Sequence, residues 1–246
     1  MLKRYFSGLY QRTMRESYNT AIQAIAEALA NGGSVLDCGA YEGRMFDTLG
    51  SHVHLSPSQY FGLEWDKAAT LTAQQKGLQV SCADLNQGIP FPDNTFTCVF
   101  GLSLLEHLLN GCRFMKECHR VLKPGGTIVL LTPNISTYFT AALILAGKMP
   151  SSGPHPDSDA LLKSQEVLQV RSGLSNPDTE SDTPVHRHLI VFSYRVLHDY
   201  LKMIGFTDIK GQGFGLYPFP NILQPMLEKI DPWHCHQMVF VARKPG

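Results

Sequence analysis

Ser34-Val-Leu-Asp-Cys-Gly-Ala-Tyr-Glu-Gly-Arg44 reads as a short buried strand that runs into a glycine-bearing turn and then a helix. The apolar pair Val35 and Leu36 ends at Asp37, and Gly39 and Gly43 follow. A strand, a sharp turn and a helix in that order set backbone N–H groups and a carboxylate at the carboxyl edge of a sheet, where open α/β folds bind ligands. Gly39 permits a tight turn and close approach of a ligand to the backbone, and Gly43 lets the next helix pack close to the strand. An ordinary strand-to-helix turn uses the same glycines, so by itself this stretch points to a fold class more firmly than to a ligand.

Upstream, Ala21, Ile22, Ile25, Ala26 and Leu29 recur at helical spacing and Asn31-Gly32-Gly33 supplies a stop. Residues 1–31 are therefore expected as an N-terminal helical arm, with 1–16 an extension or short helix of their own. Downstream, Arg44 to Gly50 continues as a helix with Met45, Phe46 and Leu49 on its apolar side. Gln59 to Glu64 makes a second strand whose terminal carboxylate is placed to accept the two hydroxyls of a ribose. Trp65, next along, offers a flat face for a base. Ala68 to Gln75 reads as a helix, Leu78 to Cys82 as a third strand closing on Ala83-Asp84-Leu85, and Thr95 to Phe100 as a fourth ending at Gly101. A helix from Cys112 to Leu122 stops at Lys123-Pro124-Gly125-Gly126, and Thr127 to Thr132 is apolar throughout, as in buried parallel strands. The segment 148–187 turns to Ser, Pro, Asp and Gly and is expected as a mobile lid. A helix from Tyr194 to Ile204 and a late strand pair at Phe206–Ile209 and Gln237–Ala242 complete a single domain over 1–246. The alternation implies an α/β, Rossmann-like doubly wound sheet, mostly parallel with an antiparallel edge strand.

Composition narrows the function classes. The chain has 246 residues, and 21 basic residues balance 21 acidic ones, so it lacks the positive field that sequence-independent nucleic-acid binding requires. No nucleic acid is expected as a partner. Its six cysteines are scattered without a C-x-x-C pair, which favours a reduced, cytoplasmic setting. The longest apolar run, near Tyr138 to Gly147, is too short to span a bilayer.

In combination, these pieces resemble a class I S-adenosylmethionine-dependent methyltransferase. The resemblance rests on VLDCGAYEG, Glu64, Ala83-Asp84-Leu85, FTCVFGLSLLEHL and VLKPGGTIVLLTPN in that order. The L-E-H and T-P-N segments are most similar to the small-molecule group of that family. The resemblance implies seven strands, with S-adenosyl-L-methionine across the carboxyl edge and S-adenosyl-L-homocysteine as product. It further implies that Asp37, Gly39 and Ala40, with Gly43 behind them, line the methionine half. Glu64 would hold the ribose, Asp84 would accept from the adenine amine, Leu85 would offer its backbone N–H to the ring, and a Phe100-Gly101 turn would face the methionyl group. Position 41 departs from the family's usual glycine, and its tyrosine would trim or close the pocket.

Methyl transfer asks the protein to align an acceptor and, at oxygen or nitrogen, to receive a proton. Candidate bases are His107, more readily read as a structural residue at a helix start, and His186 and His188, each equally readable as a surface-loop histidine. Glu106 and His107 together lack a third ligand in the sequence, so no metal is expected. His234-Cys235-His236 reads as a plain strand start. The apolar stretches Tyr138–Leu145 and Tyr217-Pro218-Phe219-Pro220 suit a hydrophobic or aromatic small-molecule acceptor, or else ordinary core and loop. A nicotinamide site is disfavoured by Tyr41 and Arg44, where its G-x-G-x-x-G needs small residues. A catalytically silent binding module with the same fold is the remaining alternative.

Overall fold

The computed structural model describes residues 2–150, 152–164 and 187–246. A seven-stranded sheet in the order β3-β2-β1-β4-β5-β7-β6 forms the middle layer. Its strands are β1 (Val35–Cys38), β2 (Tyr60–Glu64), β3 (Gln79–Cys82), β4 (Phe96–Leu102), β5 (Leu122–Pro133), β6 (Thr207–Phe214) and β7 (Gln237–Arg243). The first five are parallel, while β7, inserted between β5 and the edge strand β6, runs antiparallel to both. The helices are α1 (Leu2–Ala28), α2 (Arg44–Gly50), α3 (Lys67–Gln75), α4 (Gly111–Val121), α5 (Tyr138–Leu145), α6 (Asp159–Ser164), α7 (Tyr194–Met203) and α8 (Gln224–Ile230).

Side-chain alternation along the strands divides the core in two. Leu36, Cys38, Val99, Ile128 and Leu130 pack with Phe114 and Cys118 of α4 and with Leu197 and Leu201 of α7. Val35, Cys98, Phe100, Val129 and Leu131 point the other way and meet Ala21, Ile22 and Ile25 of α1, Leu49 of α2 and Ala73 of α3. Period-two alternation sends successive side chains to opposite faces, so a central strand covered on both sides is apolar along its whole length. Asp37 shares the α1 and α2 face with Val35 and is buried there.

The amino terminus differs from expectation. The arm and the following helix are one helix of 27 residues. Leu9, Thr13, Ser17, Ala21, Ile25 and Leu29 form a buried stripe at steps of four. Two of those six are polar, which hides the helical period in the sequence. Thr13 satisfies its hydroxyl on the Leu9 carbonyl at 2.9 Å and Ser17 on the Met14 carbonyl at 3.0 Å, so both can be buried at little cost. The Phe206–Ile209 strand extends to Phe214, and α8 follows where only a loop is legible. His234 closes a one-turn 3₁₀ helix, Pro232–His234, instead of starting the last strand. Of the expected lid, residues 165–186 lie outside the described residues, and so does His186.

Gly62, in the middle of β2, shows how tightly the sheet and its turn are packed. A Cβ there would stand 2.7 Å from the Ala40 Cβ and 2.8 Å from a Val80 methyl. Neither neighbour can withdraw, because both belong to the sheet or its first turn. Gly62→Ala is expected to destabilise by about 1–3 kcal/mol through overpacking. Gly8→Ala in α1, where nothing lies within 4 Å, should instead stabilise by roughly 0.5–1 kcal/mol. Urea unfolding of the two variants side by side checks both signs.

Candidate functional site

The carboxyl ends of β1, β2 and β3 are neighbours in the sheet, and each delivers one acid to the same rim. Asp37 lies in β1 opposite Gly62, Glu64 ends β2 opposite Cys82, and Asp84 follows β3 by two residues. Glu64 accepts three backbone N–H bonds, from Tyr41 at 2.8 Å, Trp65 at 2.8 Å and Asp66 at 2.9 Å. One carboxylate thus ties the glycine turn after β1 to the loop after β2. Asp84 accepts from the Asn86 backbone at 2.9 Å and side chain at 3.0 Å, and Asn86 in turn receives the Asn110 N–H at 3.0 Å. Trp65 is 78% exposed beside them, and Leu85 is buried.

The turn itself is shaped by close contact. Gly39 and Gly43 both have positive φ, 83° and 75°, a region that costs a residue with a Cβ. A Cβ on Gly43 would fall 2.3 Å from a Leu78 methyl, so the turn packs against the entry to β3. Tyr41 occupies the left-handed region too, at φ 47°, which explains why glycine is usual at this place in the resembled family. Its N–H is held by Glu64, and its ring is half exposed with the Arg44 guanidinium 5.2 Å from the ring centre. Ser103, after β4, also has positive φ, 52°; with Tyr41 it is one of four such non-glycine residues among the described residues, the other two, Asn94 in a turn and Asp208 at a register shift in β6, lying elsewhere. Strained backbone of this kind gathers at ligand sites. The expected Phe100-Gly101 turn is absent: both residues lie inside β4, which runs on to Leu102, and the bend falls at Ser103.

Burial sets the electrostatics of Asp37. Desolvation pushes its carboxyl up to about 7, against the pull of the hydrogen bond from the Tyr60 hydroxyl, and the nearby Glu64 charge adds to the rise. The folded protein therefore holds a proton on Asp37 between about pH 4 and about 7, where the unfolded chain does not. Stability is fully present below the unfolded value and falls as pH rises through this window, by up to ~1.4 kcal/mol per pH unit from this group. Asp37→Asn should flatten that part of the stability–pH curve in unfolding measurements from pH 4 to 8.

On the other side of the rim, the segment after β4 carries a second group of polar side chains. Glu106 is buried and accepts the Thr132 hydroxyl at 3.0 Å, and burial raises its carboxyl to about 7. His107 and His188 meet edge to face at 5.1 Å, and His155 stacks on His188 at 4.9 Å. Burial lowers His188 to about 4, although its bond to the Ser152 carbonyl works the other way. His236, also lowered to about 4 by burial and by His188, lies 6.0 Å from the Tyr10 ring and 5.0 Å from Tyr217. Phe6 bridges Phe139 of α5 and Tyr217, at 5.9 and 6.5 Å. The two apolar stretches singled out in the sequence thus meet through an aromatic from α1.

Tyr18 connects the two halves. Burial raises its hydroxyl's pKa, the bond to Ser103 at 3.2 Å opposes this, and the charges of Glu106 and Asp37 both add to it. Tyr10 and Tyr18 escaped the sequence reading. They stand eight residues apart and so share a helical face, a signal that was visible once 1–28 was read as one helix. Nothing local marks His155, and His236, singled out with His234 as a plain strand start, arrives from a separate segment. Asn134 of T-P-N is structural: its amide donates to the Trp233 and Cys235 carbonyls, both at 2.8 Å, and its oxygen accepts from Ser136 and Tyr194.

The rim suits the cofactor implied by the resemblance on donor chemistry. The acids at 37, 64 and 84 offer acceptor oxygens for an ammonium, ribose hydroxyls and an adenine amine, Asp37 in its charged form only above about pH 7, and Gly39 leaves room at the turn, with a Leu104 methyl 3.3 Å from where a Cβ would stand.

Residues 36–130 match the family model described as a methyltransferase domain. A probable S-adenosylmethionine-dependent methyltransferase of Mycolicibacterium smegmatis is 30% identical over 123 residues, 49% of this chain and 46% of that protein. A demethylmenaquinone methyltransferase of Lactiplantibacillus plantarum is 32% identical over 141 residues, covering 49% of this chain and 58% of its own length. The chain thus matches about half the length of these curated relatives. Among solved structures, an S-adenosylmethionine-dependent methyltransferase from Mesorhizobium loti superposes with a TM-score of 0.59 at 17% identity, covering 92% of this chain and 96% of that one.

Proposed function

Because the chain belongs to the class I S-adenosylmethionine-dependent methyltransferase family, we propose that it methylates a small, hydrophobic or aromatic acceptor. The observation that carries this reading is the aromatic group of Phe6, Tyr10, Phe139 and Tyr217 around His236, set by the same helix whose Tyr18 bonds Ser103 just after β4. Apolar and aromatic walls with a few polar groups are the usual lining of small-molecule pockets. The relative named for demethylmenaquinone supports a small-molecule acceptor in the same direction.

When bound, S-adenosylmethionine supplies an electrophilic methyl group on a cationic sulfur. Glu64 would hold the ribose and Asp84 with Leu85 the adenine, Trp65 would cover the base, and Asp37, Gly39, Ala40 and Gly43 would shape the methionine end. Gly101 and Phe100 back that end from inside β4. The aromatic wall would orient the acceptor and exclude water, and alignment supplies much of the rate in such transfers. His107 and His188 border the acceptor side and would handle its proton. His107→Ala and His188→Ala are expected to lower kcat by ~10²–10⁴-fold, the usual range for a lost acid–base group. Cofactor Kd should be unchanged in both. Calorimetry with S-adenosylmethionine, followed by turnover against a panel of phenols, quinols and amines, tests the proposal. Absence of cofactor binding would favour a silent module, and methylation of bulk RNA or protein alone would remove the small-molecule acceptor.

A further inference from the structure

Glu106, His107 and His188 come together although 188 is far from the other two in the chain, and one donor atom from each lies within 4.8 Å of the others. The sequence shows only the adjacent pair, and the third ligand is delivered by the fold. From this geometry we propose that Glu106, His107 and His188 form a binding site for a divalent first-row transition cation beside the acceptor wall.

Two independent features support a ligand set over a chance cluster. First, both imidazoles are anchored through Nδ1 to backbone carbonyls, His107 on Arg187 at 3.1 Å and His188 on Ser152 at 2.6 Å. A ring that donates from Nδ1 to a carbonyl presents a lone pair at Nε2, and metal-ligating histidines are oriented in this manner. Second, Glu106 is anchored as well, by the Thr132 hydroxyl on one oxygen, and the backbone carbonyl of Glu106 receives the Leu189 N–H at 2.7 Å. That last bond pins the irregular segment carrying His188 against the segment carrying Glu106 and His107. His155 stacks behind His188 and receives its backbone N–H at 3.4 Å, which further restrains the ring.

Bond lengths near 2.0–2.2 Å place the donors of such an ion roughly 3–3.5 Å apart, so side-chain adjustments of about an ångström close the set. Two imidazoles and one carboxylate favour Zn²⁺, Fe²⁺, Co²⁺ or Mn²⁺ over Mg²⁺ or Ca²⁺, which prefer all-oxygen shells. Three protein ligands leave open positions, and on the methyl-transfer reading above an acceptor oxygen would occupy one of them; with the cation in place, coordination would lower that oxygen's pKa, and His107 and His188 would act as ligands in place of the proton-accepting role they have without it. This last step rests on that reading, and the cation site itself does not.

The test uses the full chain, stripped with chelator and titrated with ZnCl₂ by calorimetry, with elemental analysis after dialysis. One equivalent per chain is expected. Glu106→Gln, His107→Ala and His188→Ala should each weaken retention at least tenfold, whereas His52→Ala, on an exposed turn, should leave it unchanged. Cofactor calorimetry on the same samples reports whether each variant is folded. Should a variant fail to fold, Co²⁺ loaded into the wild-type protein decides the matter: visible d–d bands of a four- or five-coordinate nitrogen and oxygen site support the proposal, and their absence overturns it. Substoichiometric Zn²⁺ in the wild type, or full retention in the Glu106→Gln and His188→Ala variants, also overturns it. Cation retained without cofactor binding would instead remove the methyl-transfer reading and leave this site standing.

Discussion

Arg12→Met is expected to lower the free energy of unfolding by about 3–5 kcal/mol, the largest stability loss among the substitutions considered. The Arg12 guanidinium reaches Glu228 of α8 with bonds of 2.8 and 3.2 Å, and both side chains are only 10% exposed. Arg12 also pairs with Glu16 one turn on, and Glu228 accepts the Gly215 N–H at 2.7 Å. Removing the arginine leaves Glu228 buried with a single N–H for company, and the cost of an uncompensated buried charge far exceeds that of a broken surface pair. Arg12→Met with Glu228→Gln should recover much of the loss, because the stranded charge is gone. A urea series on both variants reads the difference directly. A loss below ~1 kcal/mol in the single variant would show that the pair is solvated, since that is the range of surface ion pairs. The pair also fixes α1 against the exit from β6, so the variant should loosen the wall that Tyr10 and Tyr217 share with His236.

Glu64→Ala is expected to weaken S-adenosylmethionine binding by ~1–3 kcal/mol, or about fivefold to somewhat over a hundredfold, through lost charge-assisted hydrogen bonds. The same carboxylate gathers N–H groups from Tyr41, Trp65 and Asp66. Alanine therefore also releases the positive-φ backbone at Tyr41, and the effect should fall toward the upper end of the range. Glu64→Gln keeps an accepting oxygen and the loop geometry without the charge, and its affinity should lie between the two. Calorimetric titration of the three proteins gives the ordering. Equal affinity for wild type and Glu64→Ala would move the ribose elsewhere on the rim.

Much of the core architecture could be read in the chain because its signals are local. Val35-Leu36 running into Gly39, the acid at the end of Tyr60–Glu64, and the apolar run Thr127–Thr132 are each set by nearest-neighbour chemistry: period, turn glycine, strand propensity. These made the alternating strands and the acids at 37 and 64 legible, whereas the sheet order and the place of Asp84 on the rim came with the family resemblance. What failed locally failed for identifiable reasons. Thr13 and Ser17 are polar residues on a buried stripe, so the amino-terminal helix looked broken. Phe100 and Gly101 continue a strand because β5 pairs with them on one side, which no local pattern announces.

The sequence by itself determined the α/β alternation, the glycine turn after β1 and the acids that frame it, because each depends on residues within a few positions of one another. Only the tertiary structure decided that Asp37 is buried under Tyr60, that Arg12 meets Glu228, and that His188 and His155 stand beside Glu106 and His107. Those pairs are tens to hundreds of residues apart along the chain, and their proximity follows from how the sheet edge and α1 close over the carboxyl rim. Local preference is silent on contacts of that range, and only the packed core brings them within bonding distance.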